Sequence, residues 1–414
     1  MKQKRLIFSV VPALVVLFVG LAWSSGFQLP EQNASGLGNA YAGAAAVAEN
    51  ASTIFFNPAG MTQLQAREFS LGVSAVRPSF KFSNNGSTTP TAFTGGATVP
   101  VTGTDGGDAG GWNFLPNFYL SAALTRDIYM GLGVSVPFGL ATEYDSGWYG
   151  RYQAIKFSIK TLNVNPSLAY RISDKVSLGF GLNWQRLEAE YVRKATPAAQ
   201  VKLEANDDAW GWNVGVLFQV APATRLGISY RAPLSYTLEG DFSGALNAPA
   251  KADIKLPDTF ILSVHHGLSA RWELLGDLSL TRWSSLDTID IINKTTGTVA
   301  QQLIAQWQDT WRAALGASYK VSEVWKLKLG IAYDQSPVPD AERRLVSLPD
   351  DNRVLFSAGT QWKPSKTSAL DIGLAYVYMK GPDIDNNQNP TRGIVKGNFN
   401  NSALIAGAQY SMSF

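Results

Sequence analysis

From Phe69 to the C-terminus, apolar side chains recur at every second position in runs of about ten residues, with small or polar residues between them. That period belongs to a strand whose two faces meet different surroundings. Ile128, Met130, Leu132, Val134 and Val136 alternate with Tyr129, Gly131, Gly133 and Ser135. Val176 to Trp184, Trp210 to Val220, Trp325 to Tyr333 and Leu370 to Tyr378 repeat the arrangement. Runs start near residues 69, 117, 128, 155, 176, 210, 225, 259, 272, 310, 325, 353, 369 and 403, which predicts 14 strands.

The connections carry a second signal. Very short links, such as Thr125-Arg126-Asp127 and Ser173-Asp174-Lys175, alternate strictly with long polar segments near 83–111, 139–150, 190–207, 237–256, 284–308, 334–351 and 381–401. An even strand count with short turns at one end and long loops at the other predicts an all-β fold, a 14-stranded antiparallel transmembrane β-barrel of a Gram-negative outer membrane, with both termini in the periplasm. The last run, Leu404 to Phe414, is expected to close the sheet and remove its edges. Trp272, Trp283, Trp325, Trp362 and Tyr410, at strand ends, are expected at the membrane interface.

The N-terminal part is different. Lys2, Lys4 and Arg5 precede the apolar run Leu6 to Ala22, so residues 1–24 read as a signal peptide with the mature chain starting at Ser25; the competing reading is an uncleaved anchor. Residues 25–66 are rich in Gly and Ala and show no two-residue period. A barrel of this size leaks unless its lumen is filled, so 25–66 is expected to be a lumenal plug and 67–414 the barrel.

Composition narrows the chemistry. There is no cysteine and only the adjacent pair His265 and His266, which disfavours thiol catalysis, cysteine-ligated metals and histidine-based chemistry. The net charge of +3 is supplied by the three basic residues at the extreme N-terminus, and no nucleic-acid partner is expected. A lipase-like enzyme on a barrel would need a serine and a base together, and no such motif accompanies the histidines. An open porin would carry more lumenal charge than a chain with 16% charged residues offers. Asp105 and Asp108 in the Gly95–Gly111 stretch are too thin a shell for calcium, and the stretch lacks the lysine and helix of a phosphate loop; it reads as external loop.

Several motifs, in order along almost the whole chain, carry a family likeness: Ser25-Gly26-Phe27-Gln28-Leu29, Ser35-Gly36-Leu37-Gly38, Asn57-Pro58-Ala59, Gly139 to Glu143, Arg282-Trp283-Ser284, and Asp334 to Pro339 running to Pro349-Asp350. The chain resembles the FadL-type long-chain fatty acid transporters of outer membranes. The resemblance implies an N-terminal hatch, fatty-acid sites in the barrel, and exit sideways beside an inward kink in the third strand. Pro137-Phe138-Gly139 interrupts that strand's alternation, since proline removes a ladder donor and glycine permits a bend. By themselves these residues fit a strand end entering a loop equally well.

The same resemblance makes Arg193 the carboxylate contact, although an arginine at an outer strand end also reads as a solvated rim charge. Gly26 and Phe27 are expected ligand neighbours, and Asn57, Pro58 and Ala59 the anchor of the hatch. The second cation of the family pattern is missing, because Gln301 to Thr310 contains no lysine or arginine. The expected function is passive transport of long-chain fatty acids or similar hydrophobic molecules by a monomer in contact with outer-membrane lipid, with no cofactor, metal or catalytic residue. Uptake of aromatic hydrocarbons such as toluene or xylene on the same fold is the alternative.

Overall fold

The computed structural model describes residues 26–414, so the signal peptide expected over residues 1–24 and its junction at Ser25 lie outside the described residues. Fourteen antiparallel strands form one closed barrel. They are Arg67–Asn84, Asn113–Ala123, Ile128–Ser135 with Gly139–Glu143, Lys156–Ser173, Val176–Lys194, Gln200–Ala221, and Thr224–Arg231 with Leu234–Gly244. The rest are Ala248–Leu256 with Thr259–Gly267, Trp272–Thr281 with Thr288–Asn293, Val299–Ile304 with Thr310–Lys320, Trp325–Asp334, Arg353–Trp362, Ser368–Met379 with Asp383–Asn387, and Ile394–Ser413. The first strand pairs with the last from Glu68–Ser413 to Asn84–Gly397, which leaves the sheet no edge.

Several strands run far into segments that the sequence reading assigned to long external loops. In the sixth strand the even-numbered side chains face outward throughout: Trp210 and Trp212 are exposed, and so are Glu204 and Asn206 further up. The odd-numbered positions face the interior, as Asn213 and Gly215 at membrane depth and as Val201, Leu203 and Ala205 above it. The period never changes, but its polarity inverts. Within the bilayer the outside is lipid; above it the outside is water and the apolar residues turn inward. The loop assignments at 190–207, 237–256, 284–308 and 381–401 are therefore corrected: Tyr236, Leu238, Phe242, Ala250, Ala252 and Ile254 are buried strand residues facing the interior.

Four neighbouring strands, the seventh to the tenth, are broken at one level. Thr259 lies opposite both Arg231 and Thr281, and Thr281 lies opposite Thr310, so the breaks align across the wall. Pro233 and Pro257 occupy the first two, where a missing N–H ends the ladder. The ninth and tenth instead send Trp283 and Trp307 into the lumen, both buried. This corrects the placement of Trp283 at the membrane interface: it is 0% exposed, against 45% for Trp272.

Residues 26–66 fold into short helical turns, Leu37–Asn39, Ala44–Val47, Thr53–Phe56 and Pro58–Gln63, inside the barrel. Turns this short do not hold themselves together. The wall supplies their partners: Asn39 Nδ2 donates to the carbonyls of Ala317 and Leu329, Arg225 donates to Val47, and Arg231 to Phe55. Lumen-facing Gly179 and Gly215 let the backbone of Pro58-Ala59 and the side chain of Asn57 come so close that a Cβ at either position would collide with them.

Candidate functional site

The site is built where the third strand breaks. Residues 136–138 leave the ladder, and Thr161 of the fourth strand compensates, its hydroxyl accepting from the Phe138 N–H at 3.0 Å and donating to the Phe138 carbonyl at 2.6 Å. Pairing of the third strand with the second stops at Phe118–Val134, although the second strand continues down to Asn113. Beyond the break Gly139–Glu143 pairs with the fourth strand, and Glu143 donates its N–H to Ala109 at 3.0 Å. Between these points the second and third strands share no ladder, and the wall has a gap. Pro137-Phe138-Gly139 is thus an interruption within the strand, with strand on both sides.

The N-terminal segment fills the break from inside. Leu29 donates its N–H to the Pro137 carbonyl at 2.8 Å, Gly139 donates to the Phe27 carbonyl at 2.9 Å, and Gln32 Nε2 donates to the Val136 carbonyl at 2.8 Å. Phe27 then sits in a ring cluster, 5.9 Å from Phe138, 5.0 Å from Trp283 and 5.9 Å from Trp307. Edge-on and tilted contacts at these spacings are the favourable ones for aromatic rings. The inward excursions of strands three, nine and ten meet on this one side chain.

Gly26 is held by charge as well as by packing. Its N–H donates to Asp350 Oδ2 at 3.1 Å, and Asp350 also accepts from Ser336 Oγ at 2.8 Å and from Arg353. Burial pushes the Asp350 carboxyl up to about 6, against the pull of Arg353. Glu31, four residues beyond Phe27, is 1% exposed and neither of its oxygens bonds to another residue. Burial pushes its carboxyl up to about 8, with its own backbone N–H and then Arg312 and Arg353 opposing.

Arg193 is part of the fifth strand, and its odd number puts it on the lumenal face with Leu187 and Tyr191. Its Nε donates to Gln301 Oε1 at 3.0 Å, and Nη1 to the Lys194 carbonyl at 3.2 Å. Arg392, 8% exposed, bonds to the residues on either side of Gln301, so the two positive charges share one stretch of the tenth strand. Its contacts are long ones: Nη1 to the Gln302 carbonyl at 3.5 Å and to Gln388 Oε1 at 3.3 Å, Nη2 to the Ala300 carbonyl at 3.4 Å. Among the described residues neither arginine forms an ion pair with a carboxylate, and both Arg392 Nε and Gln301 Nε2 are buried donors without an acceptor. Sequence reasoning sought a second cation in residues 301–310 and missed Arg392. Nothing local marks Arg392, which reaches the site from the last external connection.

The other singled-out residues have local duties. Asn57 Oδ1 accepts from the Ala59 N–H at 3.0 Å, while Nδ2 donates to the Ala45 carbonyl at 2.7 Å and to Val216 of the sixth strand at 3.0 Å. Pro58 begins the turn that follows. Asp105 and Asp108 accept from the backbone of Asn84 and Phe80 and do not converge on a cation position. His266 pairs with Thr224 at 2.9 Å.

The chain from residue 15 to 414 matches the family model described as "Outer membrane protein transport protein (OMPP1/FadL/TodX)". The chain belongs to that family. It is similar to the long-chain fatty acid transport protein of Escherichia coli K12, at 27% identity over 466 residues and 100% of both chains. Its fold is similar to that of a Pseudomonas aeruginosa FadL homologue, with a TM-score of 0.87 and 22% identity over 94% of this chain and 100% of that one. It is also similar to the Pseudomonas putida toluene transporter TodX, with a TM-score of 0.67 and 17% identity over 94% of this chain and 100% of that one. As a member of the FadL family this chain is an outer-membrane transporter of hydrophobic molecules. No helix among the described residues is long and apolar enough to cross a membrane, and the strands make the crossing.

Proposed function

We propose that this FadL-family barrel takes up long-chain fatty acids without a cofactor, as a monomer, and passes them to outer-membrane lipid through the gap between the second and third strands. The observation that carries this reading is the pair of lumenal arginines, Arg193 and Arg392, with no acid of their own. Two partly desolvated guanidinium groups cost free energy unless an anion joins them, and a fatty acid brings one. Leu303 follows Gln301 along the tenth strand, Ala305 and Trp307 follow in that strand's break, and all three are buried and lead from the arginines to Phe27. A run of buried apolar residues between a cationic end and a ring cluster suits an acyl tail. Toluene has no group that could answer the arginines, which favours the fatty acid over the hydrocarbon.

In this reading residues 26–66 are the hatch, Asn57-Pro58-Ala59 anchors it to the sixth strand, and Phe27 with Gly26 forms its ligand-facing tip. A tail arriving at Phe27 competes for the ring cluster that seats the N-terminal segment against Pro137-Phe138-Gly139, and displacement of that segment uncovers the gap. Binding at one end of the site and opening at the other are then the same event.

Calorimetry of oleate binding to the detergent-solubilised protein tests the reading, with Arg193→Ala and a chain lacking residues 25–30 alongside. The expected result is saturable binding, weakened roughly tenfold or more by Arg193→Ala as a charge-assisted contact is lost. Toluene binding with no response to oleate would move the function to hydrocarbon uptake. Undiminished oleate affinity in a folded chain lacking 25–30 would remove Gly26 and Phe27 from the site.

A further inference from the structure

We infer that the Arg193–Arg392 site is matched to a head group carrying two negative charges, a phosphate monoester on an alkyl or acyl chain, more closely than to a single carboxylate. The inference rests on the proposed function in taking this site as the seat of an amphiphile's head. Three observations extend it.

The first is charge. Neither guanidinium can shed its proton in a protein, unlike a lysine, so the site holds two positive charges under all ordinary conditions. A carboxylate neutralises one and leaves the other buried beside it. A phosphate monoester carries nearly two negative charges above its second ionisation near pH 6 and neutralises both.

The second is donor geometry. Arg392 Nε and Gln301 Nε2 are buried and without acceptors, and the remaining bonds of Arg392 are all 3.3 Å or longer. Arg193 donates to the Gln301 side chain and Arg392 to the carbonyls of Ala300 and Gln302, so three donor groups gather on one three-residue stretch of strand: Arg193, the Gln301 amide and Arg392. The two oxygens of a carboxylate can meet one fork in full; the three terminal oxygens of a phosphate monoester can meet all three groups.

The third is what lies around the pair. Among the described residues no carboxylate forms an ion pair with either arginine, and below them the lumenal face continues through Leu303. The head position is cationic and the path beneath it is apolar, which is the complement of an amphiphile and not of a free anion.

The test is calorimetry on the purified full chain in non-ionic detergent with laurate, dodecyl sulfate, dodecyl phosphate and inorganic phosphate, at pH 8 and pH 5. Dodecyl sulfate keeps one charge at both values, whereas dodecyl phosphate loses one between them. The expected result is that dodecyl phosphate binds on the order of tenfold tighter than laurate or dodecyl sulfate at pH 8 and falls to the dodecyl sulfate level at pH 5. Arg392→Gln should bring the phosphate-to-sulfate ratio at pH 8 to within about twofold, while Arg392→Lys, which keeps the charge, should preserve a preference. Heat-modifiable migration on gels checks that both variants hold the folded barrel. Laurate bound through Arg193 with dodecyl phosphate no tighter would overturn this inference and leave the proposed function standing. Binding of none of the amphiphiles would overturn the proposed function itself. Inorganic phosphate binding as tightly as dodecyl phosphate would show an anion site with no amphiphile preference and overturn the inference as well.

Discussion

Gly139 donates its backbone N–H to the carbonyl of Phe27 at 2.9 Å, so the chain's own N-terminal segment restores, from inside the lumen, pairing that the third strand gives up at its break. The neighbouring bond from Leu29 to Pro137 runs the opposite way at 2.8 Å, which makes a miniature antiparallel ladder at the place where the wall is discontinuous. Whatever moves Phe27 also undoes this ladder.

Gly139→Pro removes the donor without adding a bulky side chain. Hydrogen exchange at Leu29 is expected to accelerate roughly tenfold, the worth of about one net hydrogen bond, while exchange in the fourth and fifth strands stays as it was. Unchanged protection at Leu29 would mean that the ring cluster and the bonds from Leu29 and Gln32 seat the segment without this one.

Trp283→Ala removes the ring nearest Phe27 and is expected to cost ~3 kcal/mol in thermal or denaturant unfolding, as a buried indole is replaced by a cavity. Trp272→Ala, at an exposed position, should cost clearly less. Equal costs would contradict the lumenal packing of Trp283.

Glu31 gives the N-terminal segment a pH dependence whose sign follows from its burial. Its carboxyl is raised from 4.5 to about 8 in the folded protein, so between those values the folded state holds a proton that the unfolded state has lost. Seating of the segment is therefore strongest below pH 4.5 and weakens as pH rises towards 8, by up to about 1.4 kcal/mol per unit. Glu31→Gln should flatten the pH profile of hydrogen exchange in residues 26–36 and slow that exchange at pH 8.

Glu49 carries the opposite sign. Burial alone would raise its carboxyl, but Lys328 and Lys326 outweigh that and hold it well below the usual range; Lys328 Nζ lies 3.0 Å from its Oε2. The stabilisation is present above about pH 4.5 and is lost as pH falls further. Glu49→Gln leaves Lys328, whose side chain is 2% exposed, paired with Asp371 alone, and should weaken protection of residues 37–63 by about 2 kcal/mol at pH 7 while the barrel stays folded. A loss of barrel and segment together would show that the two unfold as one unit.

The barrel was legible in the sequence because a strand between lipid and lumen must alternate, and each alternating run reports its own two faces without reference to any other part of the chain. Where the outside changes from lipid to water the same rule gives the inverted pattern. Leu203 and Ala205 therefore read as loop to an eye looking for apolar residues facing out, although they are strand residues facing in. Trp283 was misplaced for a related reason: an aromatic at a strand end suits the interface and the lumen equally, and only the inward excursion of the ninth strand decides between them. Pro137-Phe138-Gly139 showed that a strand would be disturbed, but not that the strand resumes at Gly139 with Thr161 bridging the break.

By itself, then, the sequence determined the period, the strand number, the alternation of short and long connections and the compact aperiodic stretch ahead of them, because these follow from local side-chain chemistry. Tertiary structure alone decided which side chains meet. Arg392 and Arg193 meet on Ala300 to Gln302, and Phe27 lies between Phe138 and Trp283, because closing the sheet into a barrel folds distant connections over a single lumen. Closure is a property of the whole sheet, and no window of the sequence contains it.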